Sequence, residues 1–303
     1  MKKVSVTIAI PAYNEEKNIV QLLTKLCLQS YKGLSLQEII VVSDGSSDKT
    51  NSLVKSIRNK KINLVLNKTR KGQSAIQNKL FSCVNSEILV ILEADTIPLS
   101  NDFILRLTDP LIKEHEIKYS QGNIMCVKPI SFVGRILYAH FNIIHSLYLS
   151  RMDTKEKICT GLGGRAYVKS FYKELHIPRD VPEDVYTLLW SKERGHKVSF
   201  AESAVSQFQV PQTLSDFIKK EKKLNGGKNS LNKYFKEKVL NEHYSKGQNM
   251  IRSYILSFIF KNFLFFVSFF VLKVISFIKT SNYIFQDIWQ VSNSTKKLQA
   301  NNI

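Results

Sequence analysis

Apolar runs alternate with amphipathic segments along the first hundred residues. The runs that predict β-strands are residues 4–10, 38–42, 62–66 and 88–92. The segments that predict helices are the one in which Ile19, Leu22, Leu23 and Leu26 recur at helical spacing, the one after Asp48, and residues 73–83. Near-continuous apolar strands separated by helices are typical of a mostly parallel sheet covered by helices on both faces, so the pattern predicts an α/β fold.

A cluster of polar residues follows each predicted strand. In chain order the clusters read "PAYNEE", "SDGSSDKT", "NKTRKG" and "EADTIP". Ligands of open parallel sheets bind at the carboxyl ends of the strands, so we expect all four clusters to face one site. Three of them carry acids, and the remaining one carries Lys68, Arg70 and Lys71.

The segments beyond residue 115 are longer and more mixed. A strand is predicted over residues 118–127 and a helix over 132–149, and the glycine-rich "CTGLGGRAY" follows. The acidic stretch that begins "VPEDV" is predicted to be helical until Gly195, with a short strand after it. Residues 219–238 are rich in lysine, and residues 254–278 form the most hydrophobic stretch of the chain.

The charge of the chain narrows the classes of partner. Lys and Arg number 44 against 25 Asp and Glu, which gives a net charge of +19 over 303 residues. This balance predicts attraction to nucleic acid, to an anionic membrane surface or to a phosphorylated small substrate. Cys27, Cys83, Cys126 and Cys159 lie far apart without a CxxC pair, so we expect reduced thiols in a cytosolic domain and neither a disulfide framework nor a zinc site. The N-terminal apolar stretch is too short for a signal peptide.

Each polar cluster also has a purely structural interpretation. In "SDGSSDKT", Asp44 and Gly45 suit a turn and Asp48 a helix cap, while a carboxylate at the strand end can also accept a hydrogen bond from the N–H of a base. "RKGQSAIQN" is compatible with a phosphate cradle but lacks the Walker spacing. "VPEDV" is an ordinary helix start, with a proline in the first turn and acids favoured by the helix dipole.

The order of the motifs is more specific than any single one. "IPAYNEE", "SDGSSDKT", "KGQSAIQN", "EADTIP", "TGLGGRAY" and "PEDVYTLLWSKERGHKV" together resemble the family 2 glycosyltransferases, whose catalytic domain has the GT-A fold. The resemblance covers about residues 4–227. It implies a nucleotide-diphospho-sugar transferase fold, a hexosyltransferase activity, a UDP- or GDP-linked sugar donor, and Mg2+ or Mn2+ as cofactor.

The resemblance also implies a role for each matching residue. Nucleotide contacts fall to Pro11, Ala12, Tyr13, Glu15 and Asp44, with Ser43 where a second aspartate is more usual, and to Lys71, Gly72, Asn78 and Glu93. Asp95 is the implied metal ligand. The segment from Gly161 to Tyr167, with Gly163, Gly164 and Arg165, would line the donor sugar and acceptor. Glu183 and Asp184 match the family's acidic pair, in which the aspartate is the general base.

The chemistry of sugar transfer needs these residue types. Breaking the bond between a sugar and a nucleoside diphosphate leaves negative charge on the departing phosphate, which a divalent metal stabilises as a Lewis acid. Attack from the opposite face needs a base that takes the proton of the acceptor hydroxyl, and a carboxylate fits. Direct displacement of this kind predicts inversion at the anomeric carbon.

One segment departs from the family pattern. Many membrane-linked and processive members carry Gln-x-x-Arg-Trp at the place where this chain reads "KEKKL". Lys220 and Lys223 stand at the diphosphate-binding positions and Leu224 at the aromatic one. A lysine supplies a point charge in place of the planar guanidinium fork, and leucine offers no stacking platform. The departure argues against processive polysaccharide synthesis.

The sequence does not decide how the hydrophobic stretch interacts with a membrane. Its 25 residues would extend roughly 37 Å as a helix, enough to span a bilayer. Lys261 and Lys273 could snorkel from a span, while a helix lying in the interface and a buried soluble helix are the alternatives. We therefore expect a catalytic domain over 1–227 with halves 1–115 and 116–227, a basic connecting segment 228–250, a membrane-associated helix 251–280 and a polar tail 281–303.

Several functions stay open at this stage. The leading one is an inverting, metal-dependent transfer of a sugar to a lipid-linked or glycan acceptor, by a catalytic domain on the cytoplasmic side of the cell membrane. A glycosyl transfer to a polyprenyl phosphate is the first alternative, and its acceptor would already be ionised. A non-catalytic protein that binds membrane or nucleic acid through its lysines is the second, although no nucleic-acid motif is visible and no such partner is expected.

Overall fold

The computed structural model of the chain describes residues 3–151, 163–280, 286, 288 and 292–296. The side chains of residues 147, 148, 150, 151, 228 and 242–262 also lie outside the description. Gly161 and Leu162 of the predicted sugar-lining segment, Cys159, the side chain of Lys261 and most of the predicted tail therefore lie outside the described residues.

An eight-stranded sheet forms the centre of the described structure. Its strands are β1 Val4–Ala12, β2 Leu34–Asp44, β3 Ile62–Asn67, β4 Ile88–Ile91, β5 Ile97–Pro98, β6 Ile117–Cys126, β7 Arg165–Val168 and β8 Lys197–Phe208. They are arranged in the order β3-β2-β1-β4-β7-β6-β8-β5. The first four strands of this order pair in parallel, as the alternation of strands and helices predicts.

The helices cover both faces of the sheet and continue beyond it. They are α1 Ile19–Cys27, α2 Thr50–Ser56, α3 Gln73–Cys83, α4 Phe103–Lys113, α5 Phe132–Arg151, α6 Lys169–Glu174, α7 Glu183–Glu193, α8 Leu214–Leu231 and α9 Glu237–Thr280, and a short 3-10 turn spans Asn293–Thr295. Each strand and helix predicted from the hydrophobic pattern is present, although β2 begins before the predicted run and β8, predicted as a short strand, has 12 residues. The α/β prediction is confirmed.

The second half of the sheet is mixed, which the pattern did not indicate. β7 lies antiparallel between β4 and β6, and β5 is antiparallel to β8. β7 comes directly after the glycine-rich stretch, where Gly163 and Gly122 lie so close that a Cβ on either would stand 2.1 Å from the carbonyl oxygen of the other. These glycines therefore permit the close backbone approach that brings β7 beside β6.

Side chains on alternating positions of the central strands fill two separate cores. In β1, Ile8 and Ile10 face the core beneath α1 and α4, while Ala9 faces the core beneath α3, α6 and α7. Both cores are fully buried at these positions. This two-sided burial explains why the strands have continuous apolar runs.

The C-terminal helices form a third apolar cluster with α5. Phe269 and Leu272 of α9 are buried against Ile136 of α5 and Phe217 of α8. The segment 228–250, predicted as a basic connecting segment, comprises the end of α8, a short stretch over residues 232–236 and the first part of α9. Of the lysines of this segment, Lys228 lies in α8 and Lys238 and Lys246 lie in α9, while Lys233 and Lys236 lie between the two helices.

Candidate active site

Most of the predicted site residues line one pocket at the carboxyl ends of β1, β2 and β4. Those that do are Pro11, Ala12, Tyr13, Glu15, Asp44, Gly72, Glu93, Asp95, Arg165, Glu183, Asp184, Lys220 and Lys223. They come from every motif that the sequence singles out. The pocket therefore lies where ligands of open parallel sheets bind, beyond the carboxyl ends of the strands.

Four of the predicted residues do not line this pocket. The two glycines Gly163 and Gly164 shape the backbone at the start of β7, and Gly164 has the positive φ of 82° that favours glycine. Lys71 is exposed and contributes its backbone N–H to Asp44. The amide of Asn78 exchanges two hydrogen bonds with the backbone of Ile177, at 2.8 and 2.9 Å, and so joins α3 to the segment before α7.

The pocket also contains residues that the sequence did not indicate. The polar tail contributes Ser292, Thr295 and Lys296, and the remaining additions are Arg70, Gln73, Ile76, Ala94, Phe208, Gln209 and Lys219. Arg70 and Lys219 lie in basic stretches whose charge was visible in the sequence. The tail gave no signal, because it is a short polar segment and Lys296 lies 281 residues along the chain from Glu15, the acid with which it pairs.

Asp44 combines the turn and ligand roles that the sequence allowed. Its carboxylate is 4% exposed and accepts hydrogen bonds from Asn67 Nδ2 at 3.0 Å, from the Lys71 N–H at 2.8 Å and from the Gly72 N–H at 3.0 Å. A carboxylate has about four acceptor positions. The bonds from the described residues therefore leave acceptor capacity on Asp44, which lines the pocket.

Tyr13 and Arg70 form a flat contact beside Asp44. The guanidinium carbon of Arg70 lies 3.9 Å from the centroid of the Tyr13 ring. This distance is typical of a cation–π contact. The two planar groups form one wall of the pocket, on which the ring of a base can stack.

The acids of two distant motifs meet at one buried arginine. Arg165 is 3% exposed, and its Nη2 lies 2.8 Å from Glu93 Oε1 and 4.0 Å from Glu183 Oε1. The other Glu93 oxygen accepts from Gln73 Nε2 at 3.3 Å. Burial raises the pKa of Glu93 to about 7, although Arg165 lowers it. Arg165 therefore lies between Glu93 and Glu183 and pairs more closely with Glu93.

Asp95 and Glu15 place further negative charge in the pocket. Burial and the Asp95 charge raise the pKa of Glu15 to about 7, while Lys296 opposes the shift. Burial also raises the pKa of Asp95, and Lys296, Lys220 and Lys223 lower it. Two acids that repel one another in a partly desolvated pocket favour a nearby cation.

Asp184 lies in the first turn of α7. Pro182 precedes the helix, and Asp184 Oδ1 accepts from the N–H of Val185 at 2.8 Å. Its neighbour Glu183 is 5% exposed, and the Oε2 atom of Glu183 has no hydrogen-bond partner among the described residues. The helix dipole stabilises negative charge at both positions. Asp184 is the more accessible of the two acids.

Cations of α8 face these acids from the other side of the pocket. Lys219, Lys220 and Lys223 all line it. Burial lowers the pKa of Lys220, and nearby acids oppose the shift. Leu224 is 54% exposed and does not line the pocket, which agrees with the absence of an aromatic platform at this position.

Comparison with known protein families finds a match to a family-wide sequence model. The model for glycosyl transferase family 2 matches residues 7–174, which is more than half of the chain. The matched region includes the first four polar clusters and ends after β7.

Two curated bacterial proteins are similar to parts of the chain. One, from Escherichia coli, is a UDP-Glc:alpha-D-GlcNAc-diphosphoundecaprenol beta-1,3-glucosyltransferase, 25% identical over 132 residues that cover 44% of this chain and 50% of that protein. The other, from Photorhabdus laumondii, is an undecaprenyl-phosphate 4-deoxy-4-formamido-L-arabinose transferase, 38% identical over 100 residues that cover 31% of this chain and 30% of that protein. The chain thus spans half or less of the length of these relatives.

A solved structure shares the fold over nearly the whole chain. It is the mannosyltransferase of Pyrobaculum calidifontis in complex with GDP-Man and Mn2+. The similarity has a TM-score of 0.59 at 18% identity and covers 91% of this chain and 81% of that one. The chain therefore has the GT-A type of fold.

Proposed function

The chain belongs to the family 2 glycosyltransferases, and from this premise we propose that it transfers a sugar from a nucleotide sugar to a lipid-linked acceptor. The observation that carries the proposal is the convergence of Asp44, Asp95 and Asp184 in one pocket, each from a different motif. They supply a base contact, a cation site and a proton acceptor, which are the three polar functions that the reaction needs.

The donor end of the pocket lies between β1 and β2. Asp44 keeps acceptor capacity for the N–H of a base, and the Tyr13–Arg70 pair offers a planar surface beside it. Lys220 and Lys223 line the same pocket, and their positive charge would attract the diphosphate. Uracil and guanine both present an N–H between carbonyl or amino groups, so we propose a UDP- or GDP-linked donor, with UDP preferred.

The residues of the pocket fit a divalent cation. Among the described residues no group of three metal-binding side chains occurs, yet Mg2+ is commonly held by one or two carboxylates together with substrate phosphates. Asp95 is the carboxylate that would hold Mg2+ or Mn2+, and Glu15, which pairs with Lys296, lines the same pocket. When bound, the cation would stabilise the charge of the departing diphosphate.

Asp184 is the residue for which we propose the general-base role. The acceptor hydroxyl oxygen forms a bond to the anomeric carbon, the bond from that carbon to the diphosphate oxygen breaks, and the hydroxyl proton passes to Asp184. The nucleoside diphosphate is the leaving group. Glu183 is buried beside Arg165. In this proposal it fixes the position of the helix turn and does not accept the proton. A single displacement inverts the anomeric centre.

Helix α9 supports the lipid side of the proposal. It includes one stretch among the described residues, Phe263–Thr280, that is long and apolar enough to cross a membrane. Its residues divide into two stripes. The exposed stripe, called here the apolar face of α9, consists of Phe263, Leu264, Val267, Phe270, Val271, Val274, Phe277 and Ile278. The opposite stripe is buried against α5 and α8.

This division favours a helix that lies in the membrane interface over one that spans the bilayer. Phe269 stacks on His140 of α5 with ring centroids 3.8 Å apart, and Lys273 pairs with Glu221 of α8 at 2.6 Å. A helix fixed along one side to the catalytic domain leaves only its other side for lipid. We propose that the apolar face of α9 lies in the cytoplasmic surface of the cell membrane, next to the acceptor.

Two acceptor chemistries separate the candidate functions. The relatives named above act on a sugar linked to diphosphoundecaprenol and on undecaprenyl phosphate. Asp184 favours the first kind of acceptor, because a hydroxyl needs a base and an ionised phosphate does not. Transfer to a polyprenyl phosphate is the second candidate.

The test is release of the nucleoside diphosphate by the purified full chain. UDP- and GDP-sugars are supplied one at a time with Mg2+ or Mn2+, and with either a sugar-diphosphoundecaprenol or undecaprenyl phosphate in mixed micelles. Release that requires both donor and acceptor is expected for at least one UDP-sugar. If no donor yields diphosphate with either acceptor, the proposed activity is wrong.

A further inference from the structure

Residues 292–296 of the tail contribute to the lining of the pocket and are fixed to the start of α8. The N–H of Ser294 donates to Asp216 Oδ2 at 2.8 Å, and the Ser294 hydroxyl accepts from the N–H of Gln212 at 3.0 Å. Ser292 Oγ donates to the carbonyl of Asp216 at 3.2 Å. Residues 292–296, called here the C-terminal strap, are therefore held on the side of the pocket formed by α8.

The end of the strap reaches the opposite side of the pocket through Lys296. This lysine is 7% exposed, and its ammonium donates to the carbonyl of Tyr13, to the carbonyl of Asn14 at 2.8 Å and to Glu15 Oε1 at 2.8 Å. An ammonium has three donors, and all three are used. Burial of a lysine is favourable only with such complete pairing.

The loop that accepts these hydrogen bonds is the one that carries the planar wall of the pocket. Its N–H groups are fixed elsewhere: the N–H of Asn14 donates to Ser46 Oγ at 3.1 Å and that of Glu15 to Thr50 Oγ1 at 2.8 Å. Asn14 has φ of 53°, in the left-handed region that costs free energy for a residue other than glycine. Lys296 thus binds the carbonyl groups of a strained turn whose N–H groups are held by the loop after β2 and by the first residue of α2.

We propose that Lys296 is a positioning residue for nucleotide binding, and that the C-terminal strap holds the Tyr13–Glu15 loop in the shape that receives the base. The proposal rests on the proposed donor site and adds a residue to it. Because the Lys296 donors are used by the protein, Lys296 acts through Tyr13 and does not bind the diphosphate. Without the strap, the loop must be ordered when the nucleotide binds, and that ordering reduces affinity.

The test compares nucleotide affinities of the wild-type chain and Lys296→Met. Calorimetry measures binding of UMP and UDP, with GMP and GDP in parallel, in the presence of Mg2+. We expect Lys296→Met to weaken the nucleoside monophosphate and diphosphate by the same factor, roughly tenfold, since ordering about one backbone residue costs that much. In turnover assays we expect a higher KM for the donor with little change in kcat and in the KM for the acceptor.

Other results would overturn the proposal in distinguishable ways. A loss that grows from monophosphate to diphosphate would mean that Lys296 binds the phosphates, and a gain in affinity would mean that the strap obstructs the pocket. Equal affinity of Lys296→Met and wild type would show that Lys296 does not position the loop, and would leave the proposed function intact. A wild-type chain that binds no nucleotide would overturn the donor site itself.

Two further variants guard against a general loss of folding. Ser294→Pro removes the N–H that binds Asp216 at a residue outside the pocket, and we expect it to reproduce the loss seen with Lys296→Met. Lys279→Met changes an exposed lysine in the same part of the chain and is expected to bind as wild type. Thermal unfolding of each variant is recorded beside the titrations. If Ser294→Pro folds and binds as wild type, the strap does not position the loop.

Discussion

The buried Arg165 and the partly buried Glu93 form an ion pair, with Nη2 and Oε1 2.8 Å apart, that joins the strand β7 to the loop after β4. Removing one member of such a pair leaves an uncompensated charge. We expect Arg165→Met to lower the free energy of unfolding by about 3 to 5 kcal/mol, measured by urea denaturation. The matched control is Arg106→Met, whose pair with Asp102 is exposed and should contribute no more than about 1 kcal/mol. Equal losses for the two variants would contradict the assignment.

The general-base role of Asp184 predicts a selective loss of turnover. Asp184→Asn keeps the size of the side chain but cannot take a proton, so transfer to a hydroxyl acceptor should fall by about 100-fold to 10,000-fold. Nucleotide affinity should stay near the wild-type value, because the base and phosphate contacts lie elsewhere in the pocket. Full activity of Asp184→Asn would exclude this role, and would favour an acceptor that is already ionised.

Asp95 as the cation ligand predicts a loss of metal dependence. Adding a chelator should weaken UDP binding to the wild-type chain, since the cation joins the diphosphate to the protein. Asp95→Asn should bind UDP weakly with or without Mg2+. Asp102→Asn, at an exposed aspartate of similar charge, should keep the metal effect. A metal effect of normal size in Asp95→Asn would assign the cation to other residues.

Asp216, which anchors the C-terminal strap, should contribute to the stability of the fold in a pH-dependent way. Burial alone would raise the pKa of Asp216, but hydrogen bonds from Ser294 and Lys219 hold this pKa below the ordinary aspartate value of 3.8. The unfolded chain then binds this proton more readily than the folded one, so the contribution is complete above about pH 5 and declines as the pH falls below 3.8.

Asp216→Asn should therefore be less stable than wild type at pH 7 by about 1 to 3 kcal/mol, the usual contribution of hydrogen bonds to a charged group. The difference between the two proteins should shrink at pH 3. Urea denaturation at the two pH values measures it. A difference that grows toward acid pH would have the wrong sign for a lowered pKa.

The apolar face of α9 predicts binding to lipid. Phe270 and Phe277 are 62% and 68% exposed, and each would contribute about 1.5 to 3 kcal/mol on transfer to an apolar phase. The double variant Phe270→Asp and Phe277→Asp should sediment less with vesicles that contain anionic lipid, without loss of stability. Leu28→Asp, which changes an exposed apolar residue at the end of α1, is the control. Unchanged sedimentation of the double variant would place the lipid contact elsewhere.

The sequence by itself determined the parallel half of the fold and most of the pocket. Strands with apolar side chains on both faces, separated by amphipathic helices, can bury those side chains only in a sheet covered on both sides. The polar clusters after β1, β2 and β4 then meet at one edge because parallel strands end there. Asp44, Asp95 and Asp184 were identified in this way from local pattern and motif order, and the structure places them in one pocket.

Only the tertiary structure decided the contacts that join distant parts of the chain. Local periodicity does not record which way β7 runs beside β4, that Glu93 takes Arg165 as its partner, or that Asn78 bonds Ile177. Lys296 lies in a polar tail with no pattern of its own, and its burial depends on acceptors that the Tyr13–Glu15 loop leaves open. The free energy of such contacts comes from desolvation and pairing, which exist only after the chain has folded.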